Sequence, residues 1–204
     1  ESLLMLQHRG QDAAGMVVCE PSGKLNSRKS KGYVRDVFQQ KHMNNLQGNL
    51  GIGHVRYPTA GGIGKEFAQP MYVNTPYGIS LAHNGNLTNS KKLAAELFHA
   101  ERRHINTDSD SEVLLNIFAL ELSKQEAVFP KPKDFFSAVE KTHLRINGAY
   151  AVVALITGYG ILAFRDPLGI RPLSIGIRKG KNRNEYVVSL VRTKLTRLKV
   201  KLDL

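Results

Sequence analysis

The sequence has little of what marks secreted, membrane-bound or base-stacking proteins. A single cysteine, Cys19, in 204 residues excludes an internal disulfide framework and fits a reducing, cytoplasmic setting. Tryptophan is absent and aromatic residues make up only 7%, so the basic residues have no interleaved rings on which bases could stack. Acidic residues are scarce: 17 of them against 29 Lys and Arg give a formal net charge of +12. Such a balance suggests an acidic partner. Its distribution argues otherwise, because Arg192, Lys194, Arg197, Lys199 and Lys201 against Asp203 concentrate +4 in the last fifteen residues. No nucleic-acid partner is expected. No run reaches membrane-span length and none has signal-peptide form, so no membrane association is expected either. Walker loops, dinucleotide fingerprints and Gly-x-Ser-x-Gly elbows are missing, and the seven histidines lack zinc-site pairings. No metal or cofactor is expected in this chain.

What is present reads as one or two globular domains, with 42% apolar and 23% charged residues. Residues 1–6 enter an apolar helix already in progress, and 7–15, polar and bracketed by glycines, read as a loop. Short apolar runs at 16–19, 50–54, 71–74 and 79–83 read as strands, with a returning basic strand at 24–32 and a short helical stretch from 36. Residues 60–69 are Gly-rich and aperiodic, which predicts a mobile loop. Helical periodicity follows at 88–100, then at 109–118 behind a Ser109…Glu112 capping box, with one apolar face made of Val113, Leu114, Ile117 and Phe118. A third helix runs from Asp134 to Leu144. Residues 149–157 are apolar throughout, a strand covered on both faces. A meander through 161–164, 173–177 and 186–191 ends the pattern. Hairpin-connected strands around a block of helices predict an α+β fold with mostly antiparallel sheets.

The chain is organised around Tyr77-Gly78-Ile79-Ser80-Leu81-Ala82-His83-Asn84-Gly85-Asn86-Leu87-Thr88-Asn89. Here a strand gives way at Asn84-Gly85 to a turn, with Thr88, Asn89 and Ser90 available to cap the next helix. An amide side chain beside an unshielded backbone N–H offers two donors, as an oxyanion hole requires. An ordinary Asn-Gly turn offers the same residues. Arg56, between a strand and a Pro-Thr-Ala-Gly turn, has a planar fork suited to a carboxylate, with Thr59 beside it; a surface Arg paired to a neighbour reads the same way. Asp110 in a first helical turn either complements the dipole or meets a ligand ammonium. Arg56 and Asp110 together would hold both ends of a free amino acid. Cys19, inside an apolar run, reads as a buried core thiol rather than a nucleophile.

Five stretches in register resemble the glutamine phosphoribosylpyrophosphate amidotransferases: Leu6-Gln7-His8-Arg9-Gly10-Gln11-Asp12-Ala13-Ala14-Gly15, Gly53-His54-Val55-Arg56-Tyr57-Pro58-Thr59-Ala60-Gly61, Ala82-His83-Asn84-Gly85-Asn86-Leu87, His104-Ile105-Asn106-Thr107-Asp108-Ser109-Asp110-Ser111-Glu112 and Phe164-Arg165-Asp166-Pro167-Leu168-Gly169-Ile170-Arg171-Pro172-Leu173. The resemblance implies a class II glutaminase domain over residues 1–189, a four-layer αββα sandwich of N-terminal-nucleophile hydrolase type. It implies Asn84 and Gly85 as oxyanion donors, Arg56 with Thr59 at the glutamine α-carboxylate, Asp110 at the α-ammonium and Arg9 in the site wall. Ammonia would pass to a phosphoribosyltransferase domain that uses phosphoribosyl pyrophosphate and Mg2+ and lies outside this sequence; the full-length parent would be a homo-oligomer.

Two departures accompany the resemblance. The family's opening strand, headed by its cysteine nucleophile, is not in this sequence, so the chain as given is expected to be inactive. Residues 190–204 replace an acidic strand with a Leu/Lys/Arg string, expected to form a peripheral tail held at most through Leu198, Val200 and Leu202, with a short edge strand as the ordered alternative. A non-catalytic glutamine-binding module, or a basic interaction protein built around that tail, are the competing readings.

Overall fold

The computed structural model describes residues 1–57, 64–181 and 184–191, together with the backbone of 201–203. Two short helices and a strand pair open the chain: α1 (Ser2–Met5), a 3-10 turn (Gln7–Arg9), β1 (Ala13–Cys19) and β2 (Leu25–Lys31). After α2 (Val34–Val37) and α3 (Gln40–Met43) come β3 (Leu50–Arg56), a second 3-10 turn (Lys65–Phe67), β4 (Met71–Val73) and β5 (Ile79–Leu87). The helical block is α4 (Ser90–His99), α5 (Asp110–Ser123) and α6 (Pro132–Arg145). β6 (Gly148–Ile156), β7 (Gly160–Arg165), β8 (Ser174–Lys179), β9 (Asn184–Ser189) and β10 (Lys201–Asp203) follow.

These elements stack in four layers. One sheet has the order β2-β1-β3 and a second β4-β5-β6-β7, all pairs antiparallel. Strand alternation decides what lies between them. Val17 and Cys19 of β1 meet Ile52, Ala82, Val153 and Leu155 between the sheets, whereas Ala14 and Met16 turn outward under Leu3, Val34 and Val37 of the small helices. On β6, Val153 and Leu155 face the first sheet, and Tyr150, Val152, Ala154 and Ile156 face α5 and α6. β6 is therefore apolar along its whole length because both faces are covered. A third sheet, β10-β8-β9, sits beside these two, with Leu190 packed on the inter-sheet cluster. The α+β, four-layer antiparallel architecture expected from the sequence is the one observed.

Several local expectations are corrected. Residues 7–15 are not one loop: β1 starts at Ala13, because Asp12 N–H already bonds the Arg56 carbonyl at 3.0 Å and sets the register with β3. α5 does not bury one face alone; Val113 to Leu122 are all buried, wrapped by its neighbouring helices and the second sheet. Its polar positions are satisfied inside: Glu121 accepts from Arg145 at 2.6 Å, and Arg145 also reaches Glu96 at 2.5 Å, tying α4, α5 and α6 together. Ser109 does cap α5, accepting from Ser111 N–H at 3.3 Å, but Glu112 turns away from the capping box to accept from Asn106 and Thr107 N–H at 2.9 and 2.8 Å. Asn89 precedes α4 without capping it and instead clamps the chain before β6, donating to the Arg145 carbonyl and accepting from Asn147 N–H. Of the segment read as a mobile loop, 60–63 lie outside the described residues, while Ala68 and Gln69 are buried. Of the tail, 192–200 lie outside the described residues and Lys201–Asp203 pair antiparallel with Ile175–Ile177 of β8, which is the edge-strand alternative.

Candidate functional site

A concavity of about 920 Å³ opens where β3, β5, the start of α5 and the end of β9 converge. That volume suits a small metabolite. Arg9, Arg56, Asn84, Gly85 and Asp110 all line it. Residues separated by as many as a hundred positions are thus brought to one place. Thr59 lies outside the described residues.

The centre of the site is the outer edge of β5. Asn84-Gly85 does not break this strand; β5 runs on to Leu87, paired with β6 from Ile79↔Ile156 to Leu87↔Gly148. Glycine is needed at 85 for closeness rather than for turning: a Cβ there would sit 2.1 Å from the Ala149 carbonyl oxygen. On the other edge β4 pairs only as far as Leu81, which leaves 83–87 without a strand partner on that side among the described residues. In a strand, N–H groups of alternate residues leave on the same edge. His83 N–H donates to Gln69 Oε1 at 2.7 Å and Leu87 N–H to Asp110 Oδ2 at 2.9 Å, so both point away from β6. Gly85 N–H, of the same parity and midway between them, leaves on that edge too, beside the cavity. The strand therefore delivers a backbone donor where the sequence suggested a turn would.

Around that edge runs a buried polar network that the sequence did not reveal. Ser111 Oγ lies 3.0 Å from His83 Nδ1 and accepts from Gln69 Nε2 at 3.0 Å, and Asp110 Oδ1 stands 3.9 Å from the same histidine nitrogen. Gln69 and Ser111 thereby fix His83, and Ser111 Oγ also lies 3.5 Å from Asp110 Oδ1. No local motif marks these residues, since their partners are 14 to 42 positions away.

Arg56 is buried at 7% exposure, not a surface residue. Its Nη1 forms an ion pair with the Asp12 carboxylate, and its guanidinium lies 5.3 Å from the Phe67 ring centroid. Asn84 Nδ2 donates to the Leu190 carbonyl at 3.0 Å, so the first residue after β9 holds the amide. Arg9 closes the turn before β1 at the cavity wall. Cys19 is buried between the sheets with its Sγ 3.4 Å from the Glu20 carbonyl oxygen. It lies at the end of β1 opposite Leu50, whereas Arg56 stands opposite Ala13. Six residues of extended strand place it about 20 Å away.

His54 carries a pH consequence. Burial, assisted by His83 and Arg56, pushes its pKa down to about 4. An unfolded histidine titrates near 6.5. Between these values the unfolded chain holds the extra proton, so stability is whole above about pH 6.5 and falls as pH drops toward 4, by about 3 kcal/mol if the group acts alone. Burial lowers the His83 pKa as well, so chemical denaturation across that range should show a slope to which His54 adds up to about one proton, reduced by that amount in His54→Asn. An unchanged slope in the variant would assign acid lability to other groups.

The family model described as glutamine amidotransferase domain matches residues 63–192, well over half of the chain. The chain belongs to that family. Amidophosphoribosyltransferase from Pseudomonas aeruginosa is 57% identical over 189 residues, which cover 93% of this chain and 38% of the relative. Among solved structures, the allosteric regulatory enzyme of purine biosynthesis superposes with a TM-score of 0.81 at 33% identity, covering 98% of this chain and 40% of that one. The Bacillus subtilis glutamine phosphoribosylpyrophosphate amidotransferase complexed with ADP and GMP gives 0.78 at 31% identity, with the same coverage. This amidotransferase domain thus has the N-terminal-nucleophile fold expected of it, and spans less than half the length of these relatives.

Proposed function

We propose that this amidotransferase domain is the glutaminase half of an amidophosphoribosyltransferase, a glutamine-dependent glycosyltransferase that makes phosphoribosylamine from phosphoribosyl pyrophosphate for purine synthesis in the cytoplasm. The observation that carries the reading is the convergence of Arg56, Asn84, Gly85 and Asp110 on one cavity. Glutamine would lie with its α-carboxylate at Arg56 and Thr59, its α-ammonium at Asp110, and its side-chain carbonyl between the Asn84 amide and Gly85 N–H. A thiolate attacking that carbonyl carbon pushes charge onto the oxygen, where fixed donors stabilise it. Collapse of the tetrahedral species breaks the C–N bond, releases ammonia and leaves a thioester, which water hydrolyses to glutamate. Any Mg2+ belongs to the transferase domain of the longer protein, as does phosphoribosyl pyrophosphate.

Residues 1–204 supply the donors but no thiol at the cavity, since Cys19 is buried in the inter-sheet core. This chain is therefore expected to bind glutamine without releasing ammonia. Calorimetry with glutamine and an ammonia assay test the two halves separately. Ammonia release surviving Cys19→Ser would show another nucleophile at work, and release abolished by Cys19→Ser would overturn its assignment to the core. Absence of any glutamine binding would remove the substrate assignment itself.

A further inference from the structure

At the opposite side of the sandwich, the gap between the two main sheets opens between their edge strands β2 and β4 into a second cavity of about 510 Å³. Elsewhere this gap is filled by Val17, Cys19, Ile52, Ala82, Val153 and Leu155. Here polar side chains join Val17, Leu25 and Pro70 on the walls. Ser27 stands opposite Val17 and Lys29 opposite Gly15, so both share the inward face of β1, at the exposed rim that edge strand β2 gives the cavity. From the second sheet come Tyr72 and its cross-strand partner Ser80, with Thr157 just beyond β6. Ser80 is completely buried, yet among the described residues its Oγ has no hydrogen-bond partner, and neither has the buried Thr157 Oγ1. A buried hydroxyl left unpaired is costly, so two at one cavity wall point to something that bonds them. Gly78 leaves room for it: a Cβ there would lie 3.2 Å from Thr157 Oγ1 and 3.4 Å from the Tyr72 hydroxyl.

We infer that this cavity is a second binding site, built for a small phosphorylated polyol. The first sheet offers one cation, Lys29, whose ammonium is held 3.3 Å from the Pro70 carbonyl, beside the Ser27 hydroxyl. Among the described residues no carboxylate lines the cavity to repel an anion. A lysine acts on phosphate as a point charge, and neighbouring hydroxyls complete the oxygens' hydrogen bonds. The second sheet offers only neutral hydroxyls, which both donate and accept, as a polyol's own hydroxyls require. Facing sheets lie about 10 Å apart, more than one phosphate spans, so the anion and the hydroxyl-bearing body occupy opposite walls.

The test uses the isolated chain, three probes and no glutamine chemistry, so it stands or falls separately from the glutaminase reading. Glycerol 3-phosphate, inorganic phosphate and glycerol are titrated into labelled protein while the backbone amide resonances of Ser27, Lys29, Gly78 and Ser80 are followed. Glycerol 3-phosphate is expected to give saturable shifts with a Kd of about 1 mM or tighter, and each half-molecule to bind more weakly. Lys29→Gln, on an edge strand, should weaken binding roughly tenfold, the usual loss of a charge-assisted contact. Ser80→Ala should weaken it severalfold; if that variant does not fold, Thr157→Val is the substitute. Shifts that never saturate, that persist unchanged in Lys29→Gln, or that glycerol produces equally well would overturn the proposal. The last outcomes would leave Lys29 as an inward-turned charge that keeps the β2 edge from pairing with other chains.

Discussion

In a chain extended by one strand with a cysteine at its head, Asn84→Ala is expected to lower glutamine turnover by roughly 100- to 1000-fold, the usual loss on removing one oxyanion donor. The expectation rests on where β5 puts its groups. Gly85 N–H is fixed by the strand and its register with β6, so it cannot be lost without unpairing β5. The Asn84 amide is a side chain, and in this chain it is engaged by the Leu190 carbonyl at 3.0 Å. That bond orients the amide but competes with an oxyanion for its hydrogens. An oxyanion, being charged, is the stronger acceptor, so the contact should yield in the transition state. Asp110→Asn acts differently. It removes the charge proposed to meet the glutamine ammonium while keeping an oxygen for Leu87 N–H, so on that proposal KM should rise with kcat much less affected. Steady-state kinetics of both variants decide the matter. Small, parallel changes in kcat and KM for both would assign Asn84 and Asp110 to structure alone.

The antiparallel α+β class and most elements were legible in the sequence, β5 from its alternation and β6 from its continuous apolar run, whereas the four-layer order followed only from the family resemblance. The parts that were not legible depend on distant residues. Asn84-Gly85 carries the local signature of a turn, and only the Ala149 carbonyl, more than sixty residues on, explains why glycine stands within a strand. Glu112 matches a capping box by spacing, but the 106–107 backbone competes for it and wins with two bonds. Asp110 was legible as a carboxylate in a first helical turn. That its Oδ2 also closes the free edge of β5 was not, because it requires knowing that β4 stops at Leu81. Cys19 was read as a core residue from its apolar run, and the inter-sheet cluster bears that out. Arg56 was read as either a carboxylate clamp or a paired surface residue. It is paired, but buried, and its partner comes from a motif 44 residues earlier.

That pairing has the largest expected effect on stability. Asp12 and Arg56 side chains are only 10% and 8% exposed, so removing either breaks the pair and leaves the other charge with little solvent. Breaking a buried pair from one side costs about 3–5 kcal/mol. For a chain of this length that corresponds to a fall in thermal midpoint of roughly 10 °C in Arg56→Ala. Arg56→Ala also loses the packing of the guanidinium on Phe67. Arg56→Lys keeps the charge but not the planar fork, so it should recover part of the midpoint while leaving glutamine binding weak. This split separates the two roles of the residue: the Asp12 pair needs mainly charge, whereas a carboxylate ligand needs the fork. The double variant Asp12→Asn/Arg56→Met removes both charges and fills much of the space, and should be more stable than Arg56→Ala. Thermal denaturation of these variants, with glutamine calorimetry on those that fold, reads both roles. Shifts below about 2 °C in Arg56→Ala, for a chain in which 1 kcal/mol moves the midpoint by about that much, would show that Asp12 finds other partners. Full recovery of glutamine binding in Arg56→Lys would remove the carboxylate clamp.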